Sequence, residues 1–125
     1  MRNIAWFLVF MLVGCRQKDP VLSVNANQLI GTWTTPSISA NERPFTRWTF
    51  KPDFVYTSAD TLQTCQPVDN SHYYRYRIEN GRLIGRFEGY TTGLYPIPEI
   101  NRRILSITAS EMMLDAPRQV FKKCP

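Results

Sequence analysis

Few side chains in this chain of 125 residues can do acid–base, nucleophilic or metal chemistry: one histidine, His72, and three cysteines, Cys15, Cys65 and Cys124. No serine or cysteine motif is placed to use His72 as a base. Asp53, Asp60 and Asp69 lack the paired pattern that general acid–base work needs. His72 is therefore expected on a strand surface, and the chain reads as no enzyme. Cys65, Cys124 and His72 make at most three metal ligands with no short spacing, so no metal and no cofactor is expected. What Cys65 and Cys124 do then depends on the compartment the chain enters, which the N-terminus addresses.

Met1-Arg2-Asn3 is a short positive start, and Ile4 to Val13 is an unbroken apolar run. A run of that length is too short to span a bilayer, which takes about 20 residues, and suits a signal-peptide core. It ends in Leu12-Val13-Gly14-Cys15, which resembles a bacterial lipobox. The alternative is an ordinary signal peptide, or a buried helix, with an incidental cysteine. The resemblance implies cleavage of residues 1–14, diacylglyceryl transfer to the Cys15 thiol, and acylation of the new amino group. Two or three acyl chains give stable membrane anchoring where one is marginal. Arg16 stands where an inner-membrane retention signal would place Asp, so the outer membrane is the expected location, facing periplasm or cell surface. Gln17-Lys18-Asp19 resembles the export signals of Bacteroidetes surface lipoproteins. Residues 15–27 carry the anchor and a polar tether, and 28–125 form one domain.

In an exported protein, Cys65 and Cys124 are a candidate disulfide; a free pair or a metal site are the alternatives. Closing a loop of about 60 residues would be worth about 4 kcal/mol in the chain-entropy picture. With Arg2 in the leader, the rest of the chain carries 14 basic and 10 acidic residues, a net charge of +4. Spread along the chain without a clustered stripe, that balance points away from nucleic acid.

The mature chain reads as short strands with turns every eight to twelve residues and no convincing amphipathic helix. Strands are expected over 28–35, 46–50, 54–58, 71–79, 82–90, 102–108, 111–115 and 118–123. Trp48 and Phe50 alternate with Arg47 and Thr49; His72, Tyr74, Tyr76 and Ile78 share a face; Leu105 and Ile107 share another. Asn80-Gly81 is a type I′ hairpin signal. The expected architecture is all-β: a small antiparallel up-and-down barrel of about eight strands.

Leu29-Ile30-Gly31-Thr32-Trp33 resembles the Gly-x-Trp opening of lipocalins. Trp48 to Tyr56, Tyr76 to Leu83, Ile104 to Leu114 and Phe121-Lys122-Lys123 resemble successive segments of small lipocalin-like lipoproteins from Bacteroidetes. The resemblance covers nearly all of 28–123. It implies a lipocalin-like barrel, with a cation from the last strand over the Trp33 ring; Arg118 and Lys122 are the candidates, and the chain is expected to be a monomer. Two functions follow. One is a binding module that takes a small apolar ligand against Trp33, Trp48, Phe50, Tyr56, Tyr74 and Tyr76, although the same rings would equally fill a small barrel. The other is an envelope interaction or inhibitor protein acting through the apolar loop 91–101, with no internal ligand.

Overall fold

The computed structural model describes residues 22–35, 45–91, 93, 96–115 and 117–125. The leader, Cys15 and most of the tether lie outside the described residues, as do Thr92, Leu94 and Tyr95 of the apolar loop. Eight strands follow one another: β1 (Gly31–Thr34), β2 (Phe45–Phe50), β3 (Phe54–Asp60), β4 (Tyr73–Glu79), β5 (Arg82–Phe87), β6 (Ile100–Ile107), β7 (Glu111–Leu114) and β8 (Gln119–Lys123). Each pairs antiparallel with the next and β8 pairs back with β1, closing the sheet into an up-and-down barrel.

Residues opposite one another in a ladder share a face, so the register shows which side chains point inward. The inner set runs Trp33↔Trp48, Phe50↔Val55, Val55↔Tyr74, Tyr76↔Gly85, Gly85↔Ile100, Ile104↔Leu114, Met112↔Phe121 and back through Lys123↔Trp33. These apolar side chains form one contiguous cluster in the barrel. Burying a large apolar side chain contributes roughly 1.5–3 kcal/mol, which is why alternation governs this fold.

Two turns set the hairpins. Asn80 and Gly81 both take positive φ, 50° and 71°, as the type I′ signal predicts. In the β2–β3 turn the left-handed position falls to Asp53, at φ 77°. The Tyr76 hydroxyl steadies that turn from β4 by donating to the Lys51 carbonyl at 2.7 Å.

One end of the barrel is closed from below. Asn25 caps a single 3-10 turn over Ala26–Gln28 through a reciprocal capping box, and Leu29 is sealed in the core with Val24 packed against it. Polarity alone reads 16–27 as free tether, yet its last residues dock because Val24 and Leu29 have apolar surface to bury. Leu105 corrects the expected β6 face. A register shift between Ile104 and Ser106 puts Ile104, 2% exposed, inward in its place and restores Ile107 opposite Met112.

Cys65 and Cys124 form the disulfide, with Cα atoms 5.6 Å apart. It holds segment 61–72 across the outside of β1 and β2. Under this strap the Val68 amide donates to Thr49 Oγ1 at 2.7 Å, and Thr49 meets Thr32 at 3.0 Å. Outward threonines are thereby buried.

Two outcomes follow. Replacing both Cys65 and Cys124 with serine should cost about 4 kcal/mol, a fall in Tm on the order of 20 °C for a domain of this size. A calorimetric transition within a few degrees of the parent would assign the strap's hold to Val68 and the threonines alone. The second concerns alkali. Burial pushes the Tyr76 phenol above its ordinary 10.0, and the Asp53 carboxylate adds to the shift. The folded state thus keeps this proton more tightly than the unfolded chain. Its contribution is complete below the ordinary phenol pKa and is lost as pH rises through the folded one. Tm should fall above about pH 10. Tyr76→Phe should flatten that limb while lowering the neutral-pH stability by about 1 kcal/mol through the lost hydrogen bond. A limb equally steep in the variant would remove Tyr76 as its source.

Candidate functional site

At the end opposite the 3-10 turn, β3 and β4 part. They pair only over Phe54↔Arg75, Val55↔Tyr74 and Tyr56↔Tyr73, and the Thr57 amide then donates to the His72 carbonyl at 3.0 Å. Beyond that bridge the wall opens into a cleft of about 440 Å³ lined by Thr46, Trp48, Thr57, Ser58, Ala59, Asn70 and His72. Inward parity from β2 supplies Thr46 and Trp48; the same parity from β3 supplies Thr57 and Ala59. Volumes of this size suit a small molecule.

The polar side of the cleft is held firmly. His72 Nδ1 lies 2.5 Å from Thr57 Oγ1. Asn70 donates from Nδ2 to the Thr57 carbonyl at 2.9 Å and accepts from the His72 amide at 3.0 Å. The imidazole stands with ring centroids 5.0 Å from Phe87 and 5.6 Å from Tyr74. His72 is therefore in the mouth of the barrel, not on its outer surface as expected from its isolation in the sequence. It shares a face with Tyr74 and Tyr76, and that face is the inner one.

The expected ligand-lining residues divide three ways. Trp48 lines the cleft. Phe50, Tyr74 and Tyr76 point inward but pack against neighbouring rings, with centroids 6.0 Å apart for Trp48–Phe50, 5.2 Å for Phe50–Tyr76 and 5.4 Å for Tyr74–Phe87, and Trp33 is fully buried in the core. Burial pushes the Tyr74 phenol up, as it does Tyr76. Tyr56 is a correction: it sits opposite Thr49 and Tyr73 on the outside. There its ring lies 5.2 Å from that of Tyr73 and 4.8 Å from Lys51 Nζ. One residue of parity separates it from Val55, which takes the inner place.

The cation over Trp33 is Lys123, with Nζ 5.3 Å from the ring centroid. Arg118 and Lys122, the sequence candidates, are elsewhere; Lys122 pairs with Glu111 on the outer face. No motif marks Arg102, yet it points inward between Ile100 and Ile104, opposite Leu83. Its guanidinium reaches Gln119 Oε1 at 2.7 Å and the Pro117 carbonyl at 2.5 Å, with Nε buried and unpartnered among the described residues. Burial lowers its pKa, and the Asp115 carboxylate acts against that. The signal was present in the alternation Ile100, Arg102, Ile104.

Of the apolar loop, Ile97 packs against the core cluster. Comparison with protein-family models, curated proteins and solved structures finds no match for this chain, so the site is read from its own residues.

Proposed function

We propose that this protein is an envelope lipoprotein, anchored in the outer membrane through an acylated Cys15, whose lipocalin-like barrel receives a small, flat, largely apolar molecule at its mouth. The cleft over Trp48 is the observation that carries this reading. It offers one indole as an apolar floor and the fixed polar groups of His72, Thr57 and Asn70 as a wall. Firmly placed polar groups beside an apolar ring are what orient a small ligand, and here Thr46, Thr57, Ser58, Asn70 and His72 line the recess with Trp48 and Ala59. The deeper rings support the cleft: Trp48, Phe50, Tyr76 and Phe121 pack against one another through edge-on and tilted contacts. The ligand therefore sits across the opening of the barrel.

The test fills the cleft without touching the core. Ala59 lines it and is exposed, so Ala59→Phe should occupy the recess and leave the fold intact. N-phenylnaphthylamine, a neutral flat fluorophore, should brighten on binding the parent and lose at least tenfold in affinity for the variant, with unchanged Tm. Equal affinity for both proteins would reject the cleft as the site. A mass spectrum of the Cys15 peptide from cells that process the chain checks the anchor.

A further inference from the structure

The charge that reads as dispersed along the sequence gathers on one outer wall. Alternation sends Arg75 and Arg77 outward from β4, Arg82 and Arg86 from β5, and Arg103 from β6. The register sets two pairs of like charge directly opposite each other, Arg75↔Arg86 and Arg82↔Arg103. Opposed like charges in a ladder destabilise the sheet. Glu79 and Glu88 share this wall and pair with Arg77 and Arg75, both at 3.0 Å. Arg82 donates from Nε to Asn101 Oδ1 at 2.8 Å. No salt bridge among the described residues engages Arg82, Arg86 or Arg103.

A second observation locates this wall relative to the rest of the chain. Leu22, the first described residue, lines a cleft of about 490 Å³ together with Asn80, Gly81, Arg82 and Arg103. The N-terminal segment thus reaches the barrel beside the arginines. Cys15 lies about seven residues upstream, at most ~25 Å even when fully extended.

We propose that the arginine wall of β4, β5 and β6 docks the barrel onto the phosphate-bearing surface of an anionic phospholipid membrane, with Arg82 and Arg103 taking a lipid phosphate beside Leu22. This rests on the anchoring reading above, which brings the wall within reach of such a surface. Guanidinium groups suit the task because their fork matches phosphate oxygens and sheds water more readily than an ammonium. Phosphates between the opposed arginines also relieve the repulsion that the bare sheet carries.

The test separates the wall from the anchor. The processed chain, residues 15–125 carrying Cys15→Ser, which cannot be acylated, is floated with vesicles of phosphatidylcholine alone or mixed with phosphatidylglycerol. Basic residues near an anionic surface contribute on the order of fivefold each at low salt. The anionic vesicles should therefore bind at least tenfold more protein, and the excess should fade as salt rises. Adding Arg82→Gln, Arg86→Gln and Arg103→Gln should cut that excess at least tenfold. Arg118→Gln, away from the wall, should leave it unchanged. The double variant Arg86→Gln/Arg103→Gln, which spares the Arg82–Asn101 hydrogen bond, should give an intermediate loss even if the triple variant unfolds. Equal binding to both vesicles, or an excess that survives the double and triple variants, overturns the proposal. An unmodified Cys15 in the processed natural chain would instead overturn the anchor and leave the vesicle result standing.

Discussion

Closing a sheet on itself leaves one seam, and in this barrel the seam hangs on Trp33. Strand β1 is four residues long and meets β8 over only two of them, Trp33↔Lys123 and Thr34↔Lys122. Ladder hydrogen bonds over so short a stretch contribute little, at about 1 kcal/mol each. The side chains make up the difference. The indole, fully buried, donates to the Leu29 carbonyl at 2.8 Å, which ties the docked N-terminal segment to the seam. Lys123 crosses its face from the other side. Gly31 makes the crossing feasible: its φ is +130°, and a Cβ there would lie 2.9 Å from Lys123 Cε. Without this node β1 and β8 would be two unpaired edges, open to other chains.

The disulfide reinforces the same seam from outside. Cys124 follows β8 directly, and its amide donates to the Thr32 carbonyl at 2.9 Å. The bridge to Cys65 then lays the strap over Thr32 and Thr49, the outward neighbours of Trp33 and Trp48. Indole inside and strap outside thus clamp one short strand between two layers. This explains why threonine suits these outer positions. The Thr49 hydroxyl on β2 accepts from the strap's Val68 amide and meets Thr32 on β1, while the methyls fill a surface that has ceased to be solvent.

Much of this was legible in the sequence because period-two alternation is a strong signal wherever one face is buried. Trp48 against Arg47, and Tyr74 against Arg75, declare their sides, and Asn80-Gly81 declares its turn. What escaped has a common physical cause: the position of a residue depended on something other than local period. The bulge after Ile104 exchanged Leu105 for its neighbour, and a bulge leaves no mark in composition. Tyr56 drew attention by its ring, though Val55 held the inner parity. Polarity suggested that 22–27 would remain free, and two apolar residues docked it. The cleft was legible only in part. Trp48 is an obvious lining residue, but the parting of β3 and β4 that exposes it arises from pairing between distant segments. The arginine wall was invisible for the same reason, since its members lie on three strands and meet only across the register.

The two ends of the barrel consequently carry different burdens. The end beneath the 3-10 turn holds Leu29, the indole node and the approach of the N-terminal segment, with Arg82 and Arg103 beside Leu22. The opposite end holds the cleft. Strands of four to eight residues separate them, a length of roughly 13 to 26 Å at about 3.3 Å per residue. Between the two ends, the rings of Trp48, Phe50, Tyr76 and Phe121 pack on one another and, among the described residues, fill the middle of the barrel. On the proposed reading, the mouth is then a capture site and not the entrance of a carrier that hands its cargo through the barrel.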